Sequence, residues 1–182
     1  MQHRKLRRRR IRGNALMEFV FVGIPLLFIF ISIEEMSRGM WQYHSLQYAV
    51  KLANSYATVH GATCATSPNT CTVTAGNVIT VFENAAFGIP MSQVSVTLTS
   101  ENNSVTCSQV STCSTSSSWS SQWPPSANSD NEVGNWIEFR ANYTFNTALA
   151  MFWTGKKTFS FGSSNGNGQF VFPGYSYQVI QF

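Results

Sequence analysis

The chain is poor in charged side chains, which make up 11% of its 182 residues, against roughly 25% in an average soluble domain. It has three histidines and eight acidic residues, too few to suggest a catalytic or metal centre built from several such side chains. Its surface must instead be covered by neutral polar residues, mainly Ser, Thr and Asn. We therefore predict that the protein is not an enzyme and holds neither a cofactor nor a metal ion.

Basic residues are also scarce, except at the N-terminus. Seven of the twelve lie within residues 4–12, so the net charge of +4 becomes −3 once residues 1–13 are set aside. A nucleic-acid-binding protein would carry positive charge on its folded part or on a flexible arm. Here the basic run leads directly into an apolar segment, so we expect no nucleic-acid partner.

Residues 15–33 form an apolar run with one charge, Glu18. At about 1.5 Å per residue, a helix of this length crosses a bilayer core of about 30 Å. Basic residues before such a helix keep the N-terminus in the cytoplasm, so the rest of the chain is exported. Secretory and twin-arginine signals also begin with basic residues, but no small-x-small cleavage site follows this run. The predicted membrane anchor includes Phe19, Pro25, Leu26 and Phe28.

The predicted helix continues past the apolar run, from residue 15 to about Thr58. Residues 38–59 contain no proline, and their apolar residues repeat with the spacing of one helical face. That face is formed by Leu46, Ala49, Val50, Ala53 and Ala57. This half of the helix therefore needs a partner on one side only.

Beyond residue 61 the pattern changes to a second helix followed by strands. The second helix covers residues 75–86 and is stopped by Gly88 and Pro90. Alternating apolar residues predict strands at 94–98 and 137–145, and weaker candidates lie at 158–161, 169–172 and 175–182. The order of elements predicts an α+β fold with a long N-terminal helix and an antiparallel sheet.

A Ser-rich stretch with two prolines, residues 114–135, predicts a long surface loop. Trp119 and Trp123 are its distinctive side chains. Loop aromatics commonly fold back and pack against the protein, and the alternative is an exposed contact with a partner subunit or a surface. The sequence leaves both interpretations open.

All four cysteines lie on the exported side of the predicted membrane span, where disulfides form. Three pairings exist, and the short spacings favour Cys64 with Cys71 and Cys107 with Cys113. A zinc site would more typically show two-residue spacings and a nearby histidine. We therefore expect two disulfides that staple loops.

The junction of the basic leader and the apolar run carries the most specific pattern. Gly13 follows the leader and Glu18 stands five residues after it. This arrangement resembles the prepilin peptidase site of type IV pilins and pseudopilins, with Asn14 as the first mature residue.

Further residues narrow the resemblance to TadE-like minor pilins of the tight-adherence (Tad) pilus system. The segment GNALMEF at residues 13–19, Pro25 and the run IEEMSR at residues 33–38 all resemble that family. The likeness continues through LQYA at 46–49 and ANSYA at 53–57. It covers about residues 9–60.

The resemblance implies a structural protein that a prepilin peptidase cleaves and that joins a Tad-type pilus or secretion apparatus. Its implied partners are other pilin subunits, the assembly machinery and the bacterial inner membrane, before it reaches the pilus or cell surface. The expected parts are a leader at 1–13, a membrane and filament-core half of the helix at 14–35, an amphipathic half at 36–60, and an exported domain at 61–182. The alternative is an uncleaved, membrane-tethered ectodomain that acts as a binding or adhesion module.

Glu18 has a physical role in the first interpretation. A carboxylate at the centre of a membrane helix costs about 2.5–3.5 kcal/mol, and cleavage after Gly13 would create an ammonium group at Asn14. That ammonium on a neighbouring subunit could neutralise Glu18 during assembly. Alternatively, Glu18 lies in the first helical turn, favoured by the helix dipole and hydrated at the headgroups.

Overall fold

The computed structural model describes residues 7–62, 73–113, 119–147 and 169–181. Its helices are α1 (Arg7–Thr58), α2 (Ala75–Ala85) and the short α3 (Val110–Cys113), and its strands are β1 (Val94–Ser100), β2 (Ser104–Cys107), β3 (Trp136–Asn146) and β4 (Gln169–Val179). The predicted α+β class is confirmed. The chain divides into two compact units, Met1–Arg38 and Gly39–Phe182, here called unit 1 and unit 2.

Helix α1 has 52 residues and is longer than predicted. It begins at Arg7 rather than near residue 15, because arginine is a good helix former and no proline interrupts the basic run. It contains Pro25, which has no N–H group and so leaves the carbonyl of Phe21 without its helical donor. Its end at Thr58 agrees with the prediction.

Helix α2 begins with a capping box at Thr74. The Thr74 hydroxyl accepts a hydrogen bond from the backbone N–H of Asn77 at 3.2 Å, and the Asn77 side chain accepts one from the Thr74 N–H at 3.3 Å. Two N–H groups that the helix leaves unpaired are thereby satisfied. The helix buries one face, formed by Ala75, Val78, Ile79 and Phe82, as its sequence spacing predicted.

The four strands form one antiparallel sheet in the order β2-β1-β3-β4. Burial alternates regularly along β1, and along β3 the alternation is broken at Glu138, which is also buried. One face of the sheet is therefore buried, and the other, here called the open face, is more exposed. On the buried face Leu98 stands opposite Phe139, and the Phe139 ring lies 5.3 Å from that of Phe82 in α2. The core of unit 2 therefore lies between the inner face of the sheet and the two helices.

Strand β4 corrects the prediction of two separate strands at 169–172 and 175–182. It runs unbroken through Pro173 and Gly174, which pair with Asn142 and Ala141 of β3. Proline is tolerated because β4 is an edge strand and its missing N–H interrupts no second ladder. Glycine is needed because a Cβ atom at position 174 would lie 2.8 Å from Cγ2 of Val50. The strand candidate at 158–161 lies outside the described residues.

Polar side chains of α1 bind the edge strand β4. Gln47 donates a hydrogen bond to the carbonyl of Pro173 at 2.8 Å, and Asn54 donates to the carbonyl of Ser176 at 3.0 Å. The Gln178 amide donates to the hydroxyl of Ser55 at 3.0 Å. These contacts cover an edge that would otherwise expose unpaired backbone groups.

Candidate functional site

The predicted processing site lies inside α1. Gly13 and Asn14 both belong to the helix, and Glu18 follows one to two turns later with its side chain exposed. The backbone therefore places this carboxylate near the head of the apolar segment, as the spacing predicted. All three residues of this site are neighbours within one helix.

The apolar segment of α1 is exposed along its length. An 18-residue window has a mean hydropathy of 2.5 and no part of it is buried. Phe19 is 76% exposed, for example, although a side chain of this kind is normally buried. An exposed apolar helix of this length matches the thickness of a bilayer core, so α1 contains a candidate membrane span.

Hydroxyl groups along this part of α1 are satisfied within the helix. Ser32 donates a hydrogen bond to the carbonyl of Phe28 at 2.7 Å, and Ser37 donates to the carbonyl of Ile33 at 2.8 Å. Such bonds to the preceding turn lower the cost of a hydroxyl in an apolar environment. After the apolar run, charged residues begin at Glu34, and Nη1 of Arg38 lies 3.9 Å from Oε1 of Glu35.

One of the two expected disulfides is present in the described residues. Cys107 and Cys113 are bonded, with Cα atoms 6.2 Å apart, and they join the end of β2 to the end of α3. The prediction for this pair is confirmed. Cys64 and Cys71 lie outside the described residues, so their pairing stays a prediction.

Trp119 and Trp123 are buried, with exposed fractions of 3% and 2%. The backbone N–H of Trp123 donates a hydrogen bond to the carbonyl of Val73 at 2.7 Å, and the backbone N–H of Ala75 donates one to the carbonyl of Ser121 at 3.0 Å. This part of the loop is therefore bound to the chain entering α2. The interpretation of both tryptophans as surface contacts is wrong, because their rings belong to the core of unit 2.

A buried carboxylate, Asp130, fastens the turn between β1 and β2 to the long loop. It accepts hydrogen bonds from the Ser100 hydroxyl at 2.5 Å, from the Asn102 backbone and side chain at 3.1 and 2.7 Å, and from the Asn103 side chain at 2.8 Å. Burial alone would raise its pKa, but these donors prevail and lower the pKa to about 2. The side chain is fully buried and its role is structural.

No cluster of three or more His, Cys, Asp or Glu side chains suited to a metal ion occurs in the part of the chain that the structure describes.

The open face of the sheet carries an aromatic group that the sequence did not single out. The rings of Trp136 and Tyr177 stack with centroids 5.5 Å apart, and the Arg140 guanidinium lies 5.3 Å from the centre of the Tyr175 ring. Arg140 also forms an ion pair with Glu138. Trp136, Arg140, Tyr175 and Tyr177 stand on the strand positions between the inward-facing residues of β3 and β4, so the strand period was the signal that could have revealed them.

Comparison with known proteins adds no identification: no family model, no curated protein and no solved structure matches this chain.

Proposed function

We propose that the protein is a minor pilin or pseudopilin, resembling TadE-like proteins, that a prepilin peptidase cleaves after Gly13 and that assembles into or onto a Tad-type pilus or secretion apparatus. The observation that carries the proposal is the head of α1. There, an exposed apolar helix follows a basic leader, with Gly13 and Glu18 in the pattern of a prepilin processing site.

The exposed apolar segment would have two successive environments, first the bilayer and then the helices of neighbouring subunits. Before assembly, the bilayer covers residues 16–33, which a single copy of the chain leaves exposed. After assembly, apolar helices of neighbouring subunits would cover the same surface. Unit 2 contributes a stable body, because its half of α1 is packed into a core and bound to β4.

Glu18 supplies the specificity that apolar packing alone lacks. Apolar helices slide past one another at little cost, whereas a buried carboxylate demands a cation at a fixed height. The ammonium created at Asn14 by cleavage is a cation of the right charge, four residues from the carboxylate. An uncleaved neighbour cannot offer it, so processing and assembly become linked.

Intact mass measurement of Gly13→Leu tests the processing step in cells that contain an active prepilin peptidase. We expect wild type to begin at Asn14 and the variant to remain full length in the membrane. Gly23→Leu is the matched control, because it makes the same change within the same helix, where an added Cβ meets only ordinary contacts with Phe19. A wild-type mass corresponding to residues 1–182 would overturn the proposal.

The open face of the sheet favours the second candidate, an uncleaved tethered ectodomain that acts in binding or adhesion. Tyr175 and Tyr177 are each about half exposed there, beside Arg140. Aromatic rings with a polar handle are typical of contact surfaces. The same mass measurement separates the two candidates, because this one requires the full-length chain.

A further inference from the structure

Two exposed aromatic residues lie on neighbouring segments of unit 2. Phe87 is 76% exposed and Trp41 is 62% exposed. Phe87 belongs to the turn that links α2 to β1, whereas Trp41 lies on α1. The indole nitrogen of Trp41 is 3.8 Å from the position that a Cβ atom on Gly88 would occupy, so the turn and the indole are direct neighbours.

Hydrogen bonds from α1 hold the turn in which Phe87 is exposed. Ser45 of α1 donates a hydrogen bond to the Phe87 carbonyl at 3.0 Å, and Gln42 donates to the Gly88 carbonyl at 3.1 Å. Gly88 has a positive φ of 77°, which glycine adopts without strain. The next residue, Ile89, is buried in the core. The two hydrogen bonds from α1 and the burial of Ile89 therefore fix the turn, and the exposed Phe87 ring points away from the core.

The turn that bears Phe87 is bound to the part of α1 that follows the membrane span in sequence. α1 enters unit 2 at Gly39, and the two residues that hold the turn, Gln42 and Ser45, lie in the first two helical turns of that unit. Only residues 34–40 separate Trp41 from the end of the apolar run. Trp41 and the two residues that hold the Phe87 turn are thus among the first residues of unit 2 that follow the apolar run in sequence.

We infer that Phe87 and Trp41 form a second membrane contact, in which both rings enter the interfacial layer of the bilayer that residues 15–33 cross. This inference rests on the membrane anchoring in the proposed function. Tryptophan is enriched at membrane interfaces because its ring is apolar and its N–H is polar, and phenylalanine buries its whole ring. The contact would fix the orientation of unit 2 on the membrane before the subunit leaves it.

Two other exposed aromatic residues of unit 2, both on strand β4, do not share this chemistry. Tyr175 lies under the Arg140 guanidinium and Tyr177 is stacked on Trp136, so both have partners within the chain. They lie on the open face of the sheet, on strand β4, which is far along the chain from the span. Tyr175 is therefore a matched control, being an exposed aromatic residue of the same unit.

Photocrosslinking in lipid vesicles tests the inference. The full chain is reconstituted in phosphatidylethanolamine and phosphatidylglycerol vesicles as three separate variants, Phe28→p-benzoyl-phenylalanine, Phe87→p-benzoyl-phenylalanine and Tyr175→p-benzoyl-phenylalanine. After irradiation, mass spectrometry measures the lipid adducts. We expect adducts at 28 and at 87, with the yield at 87 several-fold above that at 175. A fourth variant, Trp41→p-benzoyl-phenylalanine, repeats the test from α1.

The remaining outcomes overturn the inference in distinguishable ways. Adducts at 28 with no excess at 87 or 41 over 175 would leave the membrane span intact and refute the interfacial contact. Crosslinks from 87 to a second copy of the chain would assign the surface to a protein partner instead. The absence of adducts at 28 would refute the span itself, and with it the membrane part of the proposed function.

Discussion

Gly174 is the position at which adding one methyl group should damage unit 2 most clearly. It lies in β4 beside Leu46 and Val50 of α1. A Cβ atom there would stand 2.8 Å from Cγ2 of Val50 and 3.1 Å from Cγ of Leu46. Both neighbours are fully buried in the core, so neither can turn into solvent. We expect Gly174→Ala to lower the free energy of unfolding by about 1–3 kcal/mol, the usual cost of overpacking.

Gly39→Ala is the matched control, because it adds the same methyl group elsewhere in unit 2. A Cβ atom at Gly39 would meet the rings of Phe172 and Phe145 at 3.7–3.8 Å, which is ordinary van der Waals contact. Gly39 lies inside a helix, where alanine is favoured over glycine by about 1 kcal/mol. The control should therefore be neutral or stabilising, opposite in sign to Gly174→Ala.

Denaturant unfolding of the full chain in detergent micelles measures both variants. Near-ultraviolet circular dichroism reports on the packing of the buried rings of Trp119 and Trp123. Equal stability of wild type and Gly174→Ala, or a larger loss in Gly39→Ala, would refute the close approach of β4 to α1.

Two further predictions concern the bonds that hold the loops of unit 2. Replacing Cys107 and Cys113 together by Ser should cost about 2 kcal/mol of stability from the lost loop constraint, and unchanged unfolding would show that the bridge constrains nothing. Because the pKa of Asp130 is lowered to about 2 from 3.8, its stabilisation is complete above about pH 5 and disappears as the pH falls toward 2. Asp130→Asn should lose about 2 kcal/mol near pH 7 and show a smaller loss of stability than wild type from pH 5 to 2; parallel pH profiles would contradict this.

The helices and the central strands could be predicted from the sequence because each of them buries one side. The apolar stripe that begins at Leu46 is the buried face of α1, and the alternating residues around Phe139 are the buried face of β3. In both cases, burial on one side of a regular element imposes a period that the sequence must display.

Other features depended on neighbours distant in sequence. Pro173 and Gly174 look like a turn, yet they lie within β4 because the edge position and the close helix accommodate them. Strand β2 was missed because it has only four residues and is largely exposed. The burial of Trp119 and Trp123 depends on pairing between the loop and residues 73–75, which no local pattern encodes.

Glu18→Ala separates cleavage from assembly. Cleavage depends on Gly13 and the leader, so the variant should still be cut at Asn14 and should still span the membrane, without the cost of a charge in the apolar segment. In the filament, however, the ammonium of a neighbour would be left without its carboxylate. Breaking a buried ion pair in this way typically costs about 3–5 kcal/mol, so incorporation should fall.

The most direct test of the account is the intact mass of this protein in sheared fibres from cells that express wild type, Glu18→Ala or Glu34→Ala. Glu34→Ala is the control, because it removes an exposed carboxylate of the same helix beyond the apolar run. We expect chains that begin at Asn14 in the fibres of wild type and Glu34→Ala, and fewer such chains in the fibres of Glu18→Ala. Fibres that lack the wild-type protein, or that contain Glu18→Ala at the wild-type level, would contradict it.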